Sequence, residues 1–463
     1  MNGSEGRLAV VLHSHMPYVE GFGTWPFGEE WLWEAIATSY LPLLELLRHG
    51  APVTLSLTPV LADQFEAPRS AERFLSFARE MRAETHRLDA EAFRARGEDE
   101  PAAELERAAG DYTLVADRFE ALDDGLLGAL APHVGWTSAA THAVLPLLAT
   151  DAGIRLQVEA GIAAHRARFG GWRGGFWLPE CAHAPWLDPL LEEAGVHATC
   201  VDFTDVFGMG DGRHLRPLRS EAGPLLVPID RQTIELVWSD AGYPSNGAYR
   251  DYHHRTDHDH KPWANDGSVY DPARAEAQAR GDAADFVART GQRVACGGLA
   301  VCALDTELLG HWWYEGVGWL EAVVDEAGRQ GLEIVRLDDA LEEADPAPMP
   351  PGHHGVTTWG TPGDLTTWSS PAVADLAVAA RDAELRVVAA GAGAGERAAR
   401  ELLALQSSDW AFLVTRRLAG EYPRERALAH LAALDEALAA PAGADPALHN
   451  LAPYASVASL LSP

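Results

Sequence analysis

The sequence predicts an α/β fold followed by a helical C-terminal region. Three observations carry this. Over the first 340 residues, short apolar runs alternate with stretches of helical spacing, the pattern of a parallel sheet whose strands are joined by helices. Polar residues stand at the ends of those apolar runs. From residue 372 onward the chain is mostly Ala, Leu, Glu and Arg at helical spacing, which reads as a bundle.

The elements follow in order. "RLAVVLHSH" (7–15) reads as a buried strand, and "WLWEAIATSYLPLLELLRHG" (31–50) as a helix stopped by glycine. "PVTLSLTPVL" (52–61) reads as a second strand, and residues 68–131 as a helical insertion. "VGWTSAATH" (134–142), "GGFWLPE" (174–180), "VHATCVDF" (196–203), "IELVWSD" (234–240) and "GLAVCALDTE" (298–307) read as strands three to seven, with helices at 185–195 and 271–290. Seven or eight such units favour a barrel, while pattern alone leaves a doubly wound sheet open. The organisation read is a catalytic barrel at 1–343, a Pro-, Gly- and Trp-rich connection at 344–371 and a helical domain at 372–463.

Composition narrows the function. The formal net charge is −32 over 463 residues, a surface that repels phosphate backbones, so nucleic acid is not expected as a partner. A neutral polymer feels no such repulsion. Fifteen tryptophans offer flat apolar faces suited to sugar rings, though core packing accounts for about half of them. No apolar run reaches the ~20 residues of a membrane span. The N-terminus has no secretion signal, and the four cysteines (Cys181, Cys200, Cys296, Cys302) have no CxxC spacing. Reduced thiols in the cytoplasm are expected.

The strand ends carry the chemistry. Strand one ends on His13 and His15, strand three on His142, strand four on Glu180, strand six on Asp240 and strand seven on Asp305. In parallel α/β folds, active sites form at the carboxyl ends of strands. Glycoside cleavage needs two carboxyl groups, one to attack or activate water and one to protonate the leaving oxygen, and Glu180 and Asp305 are the pair. A separation of ~5–5.5 Å would give retention of configuration. Asp305 could also be a helix cap. His13 and His15 share one strand face. They suit a metal pair, two donors for sugar hydroxyls, or core histidines satisfied by the backbone. The stretch 239–263 reads as a long loop over the strand ends, and its His-rich part, 253–260, as a lid, a surface insertion or a metal-binding tract.

Five blocks, "VLHSHMPYV", "AATHAVLPLL", "GFWLPECAH", "ALDTELLGHWWYEG" and "QSSDWAFL", resemble glycoside hydrolase family 57 in the family's order and across nearly the whole chain. "VWSDAGYP" and "YRDYH" resemble the loop of its 1,4-α-glucan branching subgroup. The resemblance implies a seven-stranded (β/α)7 barrel followed by a helical domain that completes the cleft. It implies retaining transfer on α-1,4-glucans with formation of α-1,6 branches, and no metal or cofactor. Glu180 would be the nucleophile and Asp305 the general acid/base. His13, His15 and His142 would line the sugar subsite, with Asp409 and Trp410 reaching in from the C-terminal helices. Trp359 and Trp368 would stack on the glucan. Trp25, Trp177 and Asp240 complete the expected substrate-binding set. Tyr243, with Tyr249 as second choice, matches the tyrosine that keeps water from the intermediate. The chain departs from the subgroup at "GYPSNG", where a second glycine is usual after the proline.

Three rival functions stand beside this one. An α-amylase or 4-α-glucanotransferase would use the same two carboxyl groups. A metal-dependent hydrolase or deacetylase would use His13, His15 and an aspartate. A glucan-binding protein without activity would use only the tryptophans.

Overall fold

The computed structural model describes residues 6–350, 355–440 and 450–460. Its strands are β1 (Arg7–Ser14), β2 (Thr54–Leu57), β3 (Val134–Ser138), β4 (Phe176–Trp177), β5 (Ala198–Val201), β6 (Leu218–Arg219), β7 (Leu225–Pro228), β8 (Leu299–Asp305), β9 (Glu333–Ile334) and β10 (Ala347–Pro348). One sheet runs β4–β3–β2–β1–β8, all parallel, with β9 paired to the start of β1. β1 and β8 are almost wholly buried. That is why both read as unbroken apolar runs: helices cover one face and the sheet's own curvature encloses the other.

A second sheet runs β10–β6–β7–β5, with β5 and β7 parallel and β6 antiparallel to β7. Two contacts join the sheets. Gly175, just before β4, bridges in parallel to Ala198 of β5. Asp230, just after β7, donates its N–H to the Val301 carbonyl of β8 at 2.9 Å. The parallel strands thus curve as a half-barrel with their carboxyl ends on one side.

The expected sixth strand at 234–240 is absent. Those residues belong to the helix Arg231–Val237, and Asp240 follows it in an exposed turn. Asp230, Thr233, Ile234 and Val237 are buried while Gln232 and Glu235 face water, a helical period rather than an alternating one. The strand in this part of the chain lies earlier, at β7, and Pro228 closes it. The expected second strand is also shorter, because Pro59 opens the helix Pro59–Phe65.

Residues 70–130 are helical, the longest pieces being Arg82–Ala95 and Asp99–Glu120. The helices Ala374–Ala390, Gly395–Leu405, Ser408–Arg416 and Tyr422–Ala439 share a core of Val387, Leu402, Leu403 and Leu434. Tyr18, Val60 and Leu156 from the sheet half join that core. Each such burial stabilises the join by ~1.5–3 kcal/mol. Polar locks fix its register. Buried Glu384 accepts the N–H groups of Ala149 (2.9 Å) and Thr150 (2.7 Å), and Gln157 Nε2 donates to Gln406 Oε1 at 3.1 Å. No helix among the described residues is long and apolar enough to cross a membrane.

Candidate active site

Register builds the site. His13 at the end of β1 stands beside Ser56 of β2 and Asp305 of β8. His13 Nδ1 shares a hydrogen bond with Ser56 Oγ (3.2 Å), and its Nε2 another with His142 Nε2 (3.0 Å). The buried Trp177 indole stacks on the His13 ring at 4.7 Å. His15, two residues on, meets Thr58 Oγ1 at 3.3 Å and stacks on His142 at 4.0 Å. Its Nε2 lies 3.0 and 3.1 Å from the two oxygens of Asp409. Three histidine rings from two strand ends therefore form one wall.

Glu180 forms the opposite part. β4 ends at Trp177, and the backbone then turns sharply: Glu180 has φ 61° and Cys181 φ 47°, while His142 across the cleft has φ 60°. Left-handed backbone at residues with side chains costs ~1–3 kcal/mol each and collects at functional sites. The turn is held by Thr358 Oγ1 and the Trp359 N–H, which donate to the Glu180 carbonyl at 2.7 and 3.2 Å. Trp359 Nε1 donates to Glu180 Oε2 at 3.2 Å, and His142 Nδ1 lies 3.9 Å from Oε1. His142 Nδ1 is itself engaged by Ser408 Oγ at 2.9 Å. Arg231 donates to the Trp359 carbonyl and, at 2.6 Å, to Asp202, so the helix in place of the expected sixth strand supports the site from behind.

The electrostatics pair the two carboxyl groups. Burial, and then the charge of Asp305, push Glu180 up to about 8 against the opposing Trp359 N–H. Glu180 nevertheless keeps 18% of its side chain accessible. Asp305 opens to solvent at the end of β8, yet the protein around it pushes it up to about 6, with His15 pulling the other way. Near neutral pH the pair therefore holds one proton. His13 and His142 are held well below the usual histidine range, first by burial and then by neighbouring rings. Both are neutral and can donate and accept.

The other expected residues divide. Trp359 reaches Glu180, and Asp409 reaches His15. Trp177 is buried beneath it, wedged between His13 and Trp359, and has no face for a sugar. Trp25 is 52% exposed on the loop before the helix Glu29–Ala35. Trp368 is only 4% exposed and packs with Val144, Ala182, Leu365 and Phe412, so stacking on a glucan is corrected to core packing. Trp410 does not reach the cleft either: it is buried in the C-terminal core and donates to the Ala404 carbonyl at 2.8 Å. Asp240 is exposed away from any strand end. The hydroxyls of Tyr243 and Tyr249 donate to Asp285 (2.8 Å) and Asp282 (2.5 Å) on the helix Pro272–Arg293. Neither tyrosine is brought to the carboxyl pair. Among the described residues no group of three His, Cys, Asp or Glu is placed to hold a metal ion.

The glycosyl hydrolase family 57 profile matches residues 136–351, and the profile for the C-terminal part of 1,4-alpha-glucan branching enzymes matches residues 376–455. The chain is 31% identical to the 1,4-alpha-glucan branching enzyme of Thermococcus kodakarensis, an alignment covering 92% of this chain and 72% of that one. The chain belongs to glycosyl hydrolase family 57. The crystal structure of a family-57-type branching enzyme from Pyrococcus horikoshii superposes with a TM-score of 0.87 at 29% identity, covering 99% of this chain and 97% of that one. The alpha-amylase AmyC of Thermotoga maritima shares the fold, with a TM-score of 0.79 at 22% identity over 99% of each chain.

Several residues of this family-57 site were not singled out from sequence. Ser56 and Thr58 alternate along β2 beside His13 and His15, and that alternation was the available signal. Ser408 adjoins Asp409 in a block already noted. Glu307 follows Asp305 by two residues and is buried. It accepts from Tyr40 Oη (2.5 Å) and from the His15 N–H (3.1 Å). Burial pushes Glu307 up to about 8, and the Asp305 charge adds to the rise while the Tyr40 hydrogen bond opposes it.

Proposed function

We propose that this chain is a 1,4-α-glucan branching enzyme. It cleaves an α-1,4 bond and rebuilds it as an α-1,6 branch through a covalent glycosyl ester. The observation that carries this reading is the electrostatic coupling of Glu180 to Asp305 at one sheet edge, in a chain whose C-terminal part matches the branching-enzyme profile.

In the proposed mechanism Glu180 is ionised and attacks the anomeric carbon, while Asp305 gives its proton to the departing 4-oxygen. The Trp359 N–H on Oε2 favours the ionised form of Glu180. Turnover needs Glu180 ionised and Asp305 protonated, the reverse of the order that their values near 8 and 6 give, so it runs through the fraction of molecules in that form. Next, Asp305 removes the proton from the 6-hydroxyl of a glucan chain as that oxygen attacks the ester, and Glu180 leaves as a carboxylate. Branching and hydrolysis differ only in which acceptor arrives. His13, His15 and His142 hold sugar hydroxyls, and Asp409 orients His15.

The same reading divides the chain into a barrel at 1–343 with a helical insertion at about 68–131, a connection at 344–371 and a helical domain at 372–463. It takes β1, β2, β3, β4, β5, β7 and β8 as a seven-stranded ring closed through the two inter-sheet contacts. The glucan is the partner, and the four unpaired thiols, three of them buried, support a cytoplasmic setting. The test is incubation with amylose and a count of new α-1,6 linkages against new reducing ends. Branches in excess support the proposal. Reducing ends alone make the chain an amylase, and new α-1,4 linkages alone a glucanotransferase.

A further inference from the structure

The arm that carries Trp359 is gripped from two sides. On one side it pairs with the turn after β4. Thr357 and His183 exchange N–H to carbonyl hydrogen bonds of 2.9 Å each, and Thr358 Oγ1 and the Trp359 N–H donate to the Glu180 carbonyl. On the other side the Trp359 carbonyl accepts from Arg231 Nη2. The guanidinium is held in turn by Asp202, whose Oδ2 accepts from Arg231 Nε at 2.6 Å and whose Oδ1 accepts the Thr204 N–H at 2.9 Å. Asp202 follows β5 and Arg231 follows β7. Two strand ends of the second sheet thus meet on the back of the arm.

The helix itself disfavours this arginine. Arg231 stands in the first turn of Arg231–Val237, where the helix dipole opposes a cation. Its neighbour Asp230 is taken by Arg293 at 3.0 Å. What Arg231 gains comes from the Asp202 carboxylate and the Trp359 carbonyl. Both are held by one planar fork, so fixing one acceptor fixes the direction in which the other is held. At the far end of this chain Trp359 Nε1 donates to Glu180 Oε2 at 3.2 Å, and its ring lies edge-on to Trp177, 5.0 Å between centres. A cavity of about 340 Å³ borders Asp202, Arg231 and Thr358 without reaching Glu180 or Asp305, and its other charged walls, Asp205 and Glu235, are carboxylates.

We propose that Arg231, oriented by Asp202, is a positioning residue for Glu180: it seats the Trp359 arm so that the indole N–H meets the carboxylate that attacks the sugar. The inference rests on the reading of Glu180 as the nucleophile. Arg231 acts through Trp359, and its loss lets the carboxylate drift from the line of attack, where a displacement of ~1 Å costs about 10²-fold in rate.

The test is steady-state kinetics of the full chain, followed as the change in amylose chain length that branching, hydrolysis and α-1,4 transfer all produce. Arg231→Ala is expected to lower kcat by about tenfold or more with KM within a few-fold. The alkaline limb of kcat/KM, which follows Glu180, moves to higher pH. Asp305, His142, Asp409 and Arg416, which also face Glu180, are unchanged in that variant. Arg231→Lys keeps the charge and loses the fork, so its kcat stays below about half of wild type. Millimolar guanidinium enters the emptied space between carboxylates and restores kcat of Arg231→Ala several-fold, where sodium chloride restores none. Unchanged kcat in a folded Arg231→Ala chain, a loss carried by KM, a stationary alkaline limb, wild-type rates in Arg231→Lys, or equal restoration by sodium chloride overturns the proposal. If Arg231→Ala does not fold with Asp202 left unpaired, Arg231→Ala/Asp202→Asn and Arg231→Lys decide.

Spectra of the chain labelled with nitrogen-15 tryptophan need no turnover and separate the two readings. The signal lost in Trp359→Phe is the Trp359 indole, expected to shift with pH in the wild type and not in Glu180→Gln or Arg231→Ala. Turnover in Glu180→Gln would remove the nucleophile while that response stands. A Trp359 signal that titrates unchanged in Arg231→Ala would remove the positioning role while the nucleophile stands.

Discussion

The carboxylate of Asp409 straddles Nε2 of His15, at 3.0 and 3.1 Å, across 394 residues of chain. Ser407 Oγ donates to the same carboxylate. The helical half thereby fixes the orientation of a barrel histidine. Asp409→Ala removes a hydrogen bond of ~1.5–3 kcal/mol. Expected is a loss of about tenfold or more in kcat/KM on amylose, with a thermal midpoint close to wild type. Full activity in Asp409→Ala would mean that His15 needs no such partner.

Glu180→Gln removes the proposed nucleophile while keeping the shape of the side chain. Turnover on amylose is expected to vanish and glucan binding to persist. Asp305→Asn is expected to lower the rate by about 10²–10⁴. Retention of turnover in Glu180→Gln would remove the central assignment.

The pH dependence follows from the shared proton. Both carboxyl groups are raised, one to about 6 and one to about 8. Below the lower value both groups are protonated and no nucleophile is left; above the upper one both are ionised and no acid is left. A bell-shaped profile of kcat/KM with limbs near 6 and 8 is expected. Trp359→Phe deletes the donor that favours ionised Glu180, so the alkaline limb, which follows Glu180, should move to higher pH. A limb that stays put would separate Trp359 from the ionisation of Glu180.

Trp359 and Trp368 should behave as different kinds of residue. Trp368→Ala opens a packed cluster and is expected to destabilise by ~3–5 kcal/mol, read as a lower denaturation midpoint, with little change in KM per folded molecule. Trp359→Ala should reduce turnover at nearly unchanged stability. The reverse pattern would restore Trp368 to the glucan-binding set.

Tyr243 is anchored to Asp285 and packs near Trp319, 6.2 Å between ring centres. Tyr243→Ala is expected to lower the thermal midpoint and leave the ratio of branches to free reducing ends unchanged. A shift towards reducing ends would mean that the tyrosine leaves Asp285 to close over the cleft.

Much of the site was legible because strand ends are legible. β1 and β8 are buried and so carry continuous apolar runs, and His13 and Asp305 are polar residues at their carboxyl ends, where the site forms. The helix Arg231–Val237 was not legible as a helix, because a short apolar run such as "IELV" fits both periods and only its burial decides. Trp368 and Trp410 look the same in sequence as Trp359. Whether an indole faces a cleft or a core depends on partners such as Val144 and Leu434 that no local pattern names. The turn at Glu180 was hidden for a similar reason, since its left-handed backbone is imposed by Thr358 and Trp359, nearly 180 residues downstream.

Ser408 and Asp409 lie 266 and 394 residues downstream of the rings they anchor, His142 and His15. A chain whose sheet half formed before those helices docked would hold Glu180 and Asp305 and yet lack the struts of its histidine wall. Docking of the helices around Ser408 and Asp409 is thus the step that completes the wall.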